Sequence, residues 1–182
     1  SAGIHNGEIL TSKGFNSINL KGFSKTPTVL SQVQTFNDSD WVTTRTTSQS
    51  PRRFRLAMQE EEKLNRGTHA REEIGWFAID QGKASDGDTL LEGNTTGRKY
   101  THARSTVEFD ADFGKTPSVI AKLSSFYGGD TSTLRLDSIN QNSFGARVQE
   151  EQSRDREMSH TQETVSFVAL EGSSGLLTGS SI

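Results

Sequence analysis

A set of polar residues occurs twice in this chain in the same order. The first half carries Arg45, then Gln59, Glu60 and Glu61, then His69 and Glu72; the second carries Arg135, then Gln149, Glu150 and Glu151, then His160 and Glu163. Surface positions drift quickly after a duplication, so a shared polar set needs a reason. One reason is ligand binding. Carboxylates accept hydroxyl hydrogens, a guanidinium donates to hydroxyl oxygens, and charge strengthens each of these bonds, which suits a neutral sugar. Glycosidic chemistry is a second reason, because two carboxylates can act as acid and as base or nucleophile, here Glu60 and Glu72. A metal site is a third: calcium on Glu60, Glu61 and Glu72 is conceivable, although the Asp-rich loop of calcium sites is missing. The His-x-x-Glu spacing lies outside any helix, and zinc motifs of this kind depend on helical spacing. No cofactor and no resident metal is the expectation.

A structural reason stands beside these. Glu60 shares strand parity with Phe54, Leu56 and Met58 and could turn inward to pair with Arg45. Removing one member of a buried Arg–Glu–His network strands a charge, so such a network would also be kept in both copies. Four aromatics in or near the preceding loops, Phe36, Trp41, Phe126 and Tyr127, could stack on the apolar face of a sugar. Thr131 holds the place of Trp41 in the second half, so that stacking position exists once.

The elements that position these residues follow from an internal repeat. Phe23 with Pro27, Thr28 and Val29 returns about ninety residues later as Phe113 with Pro117, Ser118 and Val119. The same offset relates Arg45 to Arg135 and Phe54 to Phe144, and after one inserted residue His69 to His160. Between the copies, Gly82 to Asp88 is polar and contains glycine, which predicts a linker. The boundaries expected are a first unit over 1–86 and a second over 87–182. Within a unit, the runs 28–34 and 41–47 are rich in β-branched residues, and Phe54, Leu56 and Met58 alternate with other residues. The run 74–79 is apolar on both faces, as in a central strand. If the strand ending at Glu61 pairs with the one entered from His69 as a hairpin, carboxylates and imidazole crowd one end of the unit, with a turn at Asn65 and Gly67 between them. No segment has a helical period, so the fold class is all-β, two tandem antiparallel β-sandwich domains.

Composition removes several classes of function. The 182 residues include Lys+Arg 20 against Asp+Glu 23, a net charge of −3, without the basic excess of a nucleic-acid binder. Cysteine is absent, so neither disulfides nor thiol chemistry are available. No apolar run approaches membrane-spanning length, and the first five residues do not form a signal peptide. The basic stretch from Arg98 to Arg104 reads as a solvated strand or loop. The Gly/Ser-rich end from Gly172 to Ser181 reads as a linker toward further domains of a parent protein.

At Phe23, Pro27-Thr28-Val29, Arg45, Phe54 and 74–79, and again at Phe113, Pro117-Ser118-Val119, Arg135, Phe144 and 165–170, the chain resembles the H-type lectin domain of snail agglutinins and discoidins. That resemblance implies a β-sandwich that binds sugar through the arginine of its middle strand, Arg45 and Arg135 here, and that assembles into oligomers. The family's aromatic–His pair falls on Glu61-Glu62 and on Glu151-Gln152, so the amino-sugar determinants are replaced. The expectation is a secreted, non-catalytic carbohydrate-binding module with two similar sites, taking a neutral polysaccharide such as a galactan with avidity. Its partners would be that glycan and neighbouring domains, with neither nucleic acid nor membrane. The alternatives are a structural or adhesive spacer of a surface protein, and an enzyme using the paired glutamates.

Overall fold

The computed structural model describes residues 4–11, 14–63 and 69–172. The turn expected at Asn65 and Gly67, and the Gly/Ser-rich end beyond residue 172, lie outside the described residues. Every regular element described is a strand, so the protein is all-β with antiparallel sheets. The strands are β1 (Ile4–Thr11), β2 (Asn16–Asn19), β3 (Thr28–Val33), β4 (Val42–Thr47), β5 (Arg53–Glu60), β6 (Glu72–Ile79), β7 (Gly82–Asp86), β8 (Thr89–Thr95), β9 (Ser105–Glu108), β10 (Ser118–Leu123), β11 (Ser132–Asp137), β12 (Ser143–Glu150) and β13 (Val165–Glu171).

The first half forms two three-stranded sheets, β1-β6-β3 and β2-β5-β4. The second repeats them as β8-β13-β10, extended by β7, and β9-β12-β11. One hydrophobic cluster joins Val29, Ile74 and Ala78 of the first sheet to Phe54, Leu56 and Met58 of the other. A separate cluster joins Val165, Phe167 and Ala169 to Phe144, Ala146 and Val148. Alternation places these side chains on the inner faces. Phe54 and Phe144 are fully buried, each contributing on the order of 2–3 kcal/mol. Trp76 packs edge-on against Phe54 at 5.2 Å between ring centroids and is half-buried. The duplication reaches backbone conformation: Ser48 and Ser138, each just after the arginine-bearing strand, both adopt positive φ, 52° and 50°.

Two expectations need correction. The segment read as a linker is largely strand β7, which pairs with β8 from Gly82↔Gly93 to Asp86↔Thr89. Gly87, at φ 57°, makes the tight turn between them, a conformation that costs glycine little. Secondly, β5 and β6 do not form a hairpin. Both edges of β6 are already hydrogen-bonded, to β1 and to β3, so β5 lies in the opposite sheet. The chain ends that carry Glu60 and His69 nevertheless meet.

Candidate functional site

In each half one histidine bridges the two sheets. His69 places Nε2 3.2 Å from Glu72 Oε1, while its backbone N–H donates to Glu60 Oε1 at 3.0 Å. His160 makes the tighter version, with Nδ1 2.7 Å from Glu150 Oε1 and Nε2 3.2 Å from Glu163 Oε1. In the first half the corresponding Nδ1–Glu60 separation is 3.7 Å. The residue facing the ring differs between the copies. Gly128 lies against His160, and a Cβ there would collide with the imidazole. By the repeat offset the first half has Asp38 at that place.

The last carboxylate of each set holds a loop. Glu72 accepts the Thr35 hydroxyl and the backbone N–H groups of Asn37 (2.8 Å) and Asp38 (3.2 Å). Glu163 accepts the Ser125 hydroxyl and the N–H groups of Tyr127 (3.0 Å) and Gly128 (2.9 Å). Burial pushes both carboxyls up in pKa, but these donors outweigh it. Glu72 lies below its ordinary value, and Glu163 is lowered to about 2 by His160, Gly128, Ser125 and the charge of Arg45. Burial pulls His160 down, yet its two carboxylates more than reverse this and raise it above its ordinary value.

Arg45 does not pair with Glu60. It leaves its own half. From the outer face of β4 it keeps one local bond, to Gln59 Oε1 (3.0 Å), and then enters the second half. There it donates to Ser132 Oγ (2.9 Å), the Ser125 carbonyl (3.1 Å) and Glu163 Oε1 (3.0 Å), with Phe126 below its guanidinium at 4.8 Å. It is 0% exposed. Around it, Gln59 donates to Gly129 O, Glu62 N–H to Glu151 Oε2 and Thr131 N–H to Glu62 Oε1, all across the two halves. Glu61 is half-buried; that burial, then the nearby charges of Glu151 and Asp40, push its carboxyl up.

The set expected from sequence is therefore divided. Glu60, His69 and Glu72 form one buried cluster, and Glu150, His160 and Glu163 form another that Arg45 joins. Arg135 and Gln149 keep their mutual bond (3.0 Å) but are exposed and meet none of these groups. Trp41 is 43% exposed and Tyr127 56%, the latter beneath Arg98 at 3.8 Å. Among the described residues no three His, Cys, Asp or Glu are grouped to hold a metal ion. Thr35, Ser125, Gly128 and Glu62 were missed from sequence. The hydroxyls of Thr35 and Ser125 stand about ninety residues apart and were legible in the repeat.

The larger hollow lies elsewhere. A groove of ≈780 Å³ runs along the outer face of β6 and β3, lined by Phe77, Asn6, Gln32 and Gln34 over the buried Leu30, and reaches Ile120 and Lys122 of β10. The Gln34 amide lies so close over Gly75 that a Cβ there would collide with it. A second hollow, ≈630 Å³, surrounds Arg135, Arg147, Gln149 and Met158.

No family model and no solved structure matches this chain. Halomucin of Haloquadratum walsbyi is 28% identical over 160 residues, which is 86% of this chain. The chain spans only 2% of Halomucin's length.

Proposed function

We propose that the chain is a non-catalytic carbohydrate-binding module of a larger extracellular protein, built as two H-type lectin-like β-sandwiches. The groove on β6 and β3 carries this reading. Phe77 and the exposed Ile120 offer apolar surface for the C–H face of a sugar, and the amides of Asn6, Gln32 and Gln34 offer paired donors and acceptors for its hydroxyls. Among the described residues that line the groove, Lys122 alone is charged, which favours a neutral polysaccharide such as a galactan. The ligand face thus moves from the Glu–His–Glu sets to the sheet surface. The burial of Glu60 and Glu72 against one histidine supports the non-catalytic part, because a glycosidase must bring both carboxylates to its substrate.

Affinity gels of agarose, alginate, xylan and mixed-linkage glucan test it. Retardation on a neutral gel, lost in Phe77→Ala and Gln34→Ala and kept in Arg135→Ala, is the expected result. Migration unaffected by every polymer would overturn the reading. A structural or adhesive spacer is then favoured by a different observation: the retained polar set is buried and holds loops and halves together. The similarity to Halomucin, within which the matched stretch is a very small part, supports an extracellular setting for either reading.

A further inference from the structure

The contact that joins the two halves has two dissimilar ends, and each half carries both. One end is the arginine face of β4 or β11. The other is the loop held by the last glutamate, with its aromatic residue, Phe36 or Phe126. Within the chain, the arginine face of the first half meets the loop of the second. This leaves the Arg135 face and the Phe36 loop over. We propose that a second copy of this chain docks head to tail, the Phe36 loop of one chain covering the Arg135 face of the other and repeating the contact between the halves.

The leftover faces are complementary in the same sense as the used ones. Arg135 is exposed and already holds Gln149 as Arg45 holds Gln59, so its guanidinium is aimed as Arg45 is before docking. Arg147 stands opposite it in register, and with Arg104 it outnumbers their shared partner Asp137, so the face keeps a net positive charge. Glu72 and Asp38 give the loop side its negative charge, and both carboxyls are held below their ordinary pKa. Phe36 is 82% exposed, whereas Phe126, its counterpart beneath Arg45, is 37% exposed. Phe126 packs beneath Arg45 in the junction, and Phe36 presents the same surface of the equivalent loop to solvent. The ≈630 Å³ hollow beside Arg135 gives such a ring space, with Met158, 65% exposed, at its rim.

The copies also differ in a way that fits. Ser132, which accepts from Arg45, corresponds to Val42, and Thr46, whose hydroxyl donates to the Leu123 carbonyl, corresponds to Leu136. Two polar contacts of the internal junction would therefore become apolar ones between chains. Ends that differ make a heterologous contact, which either closes into a ring or grows into a fibre. This inference does not rest on the carbohydrate reading, whose groove uses other residues.

Sedimentation velocity of the full chain through a dilution series tests it, with Phe36→Ser and Arg135→Glu. Both positions are exposed, and thermal unfolding should show both variants folded as the wild type is. The wild type should sediment as species larger than one chain whose proportion rises with concentration, and each variant alone as a single chain. An equimolar mixture should yield a two-chain species and nothing larger, because one intact loop and one intact arginine face remain between the two variants. A wild type that stays monomeric throughout, variants that associate as it does, or a mixture that stays monomeric would each overturn the proposal. If the wild type is monomeric and Arg135→Glu instead loses retardation on a polysaccharide gel, that face belongs to a glycan.

Discussion

Strands β4 and β11 carry an arginine in the same register, each bonded to the equivalent glutamine, Gln59 or Gln149, at the same 3.0 Å, yet the two side chains have different fates. Arg45 is fully buried because the second half closes over it, while Arg135 faces solvent. The glutamates differ with them. Glu163 gains a guanidinium from the other half beside its own histidine and loop N–H groups, whereas Glu72 has only His69 and the donors of its own loop. Duplicated sequence thus yields one arginine that is part of the interior and one that is surface. A residue's energetic weight follows from what covers it, not from its motif.

The largest effect that would break this comparison is Arg45→Ala against Arg135→Ala. Removing Arg45 leaves Glu163 buried without its guanidinium and four hydrogen bonds unmade, which should cost about 3–5 kcal/mol in urea unfolding. Arg135→Ala should stay within about 0.5 kcal/mol. Equal losses would mean that the halves do not dock through Arg45.

His160→Ala against His69→Ala comes next. His160 contacts two carboxylates with its ring, one at 2.7 Å, and His69 has only the 3.2 Å contact within hydrogen-bonding distance. Hydrogen bonds to charged groups are worth about 1.5–3 kcal/mol, so the His160 variant should lose more by roughly one such bond. Gly128→Ala sharpens the same point by forcing that imidazole aside, at about 1–3 kcal/mol, and its Glu150 bond should lengthen toward the geometry of the first half.

The pH dependence separates the copies further. Glu163 titrates near 2 when folded against an ordinary 4.5, so the native state binds fewer protons, and this contribution is present above pH 4.5 and lost as pH falls toward 2. His160 is shifted the other way. Its contribution is complete below its ordinary 6.5 and is lost as pH rises through its higher folded value. Stability measured against pH should therefore fall at both ends in the wild type, with the acid limb flattened in Glu163→Gln and the alkaline limb flattened in His160→Asn. Unchanged limbs would remove these two groups as its cause.

The smallest effect concerns the outer surface. Asp137 holds Arg104 at 2.6 Å and Arg147 at 3.0 Å, where the first half has Thr47. All three side chains are about a third or more exposed, so Asp137→Thr should cost less than about 1 kcal/mol by calorimetry.

Much of this architecture is legible in the order of residues alone. Pro27, the Phe54 alternation and the apolar run at 74–79 mark β3, β5 and β6, and the offset of about ninety residues carries each assignment into the second half. The edge strand β7 escapes because all five of its residues are exposed and leave no apolar alternation, although Asp86-Gly87 is a hairpin signal. The Glu–His–Glu sets are legible as groups but not as buried ones, and parity alone points Arg45 at the wrong glutamate.

By itself the sequence determined the duplication, the all-β class and which polar residues matter in both copies, because periodicity and repetition are properties of the chain order. Only the tertiary structure decided that β5 and β6 lie in opposite sheets, that Arg45 reaches into the other half, and which of two identical motifs is covered. Those outcomes depend on which surfaces exclude water from one another, and two copies of one pattern cannot say which of them will be inside.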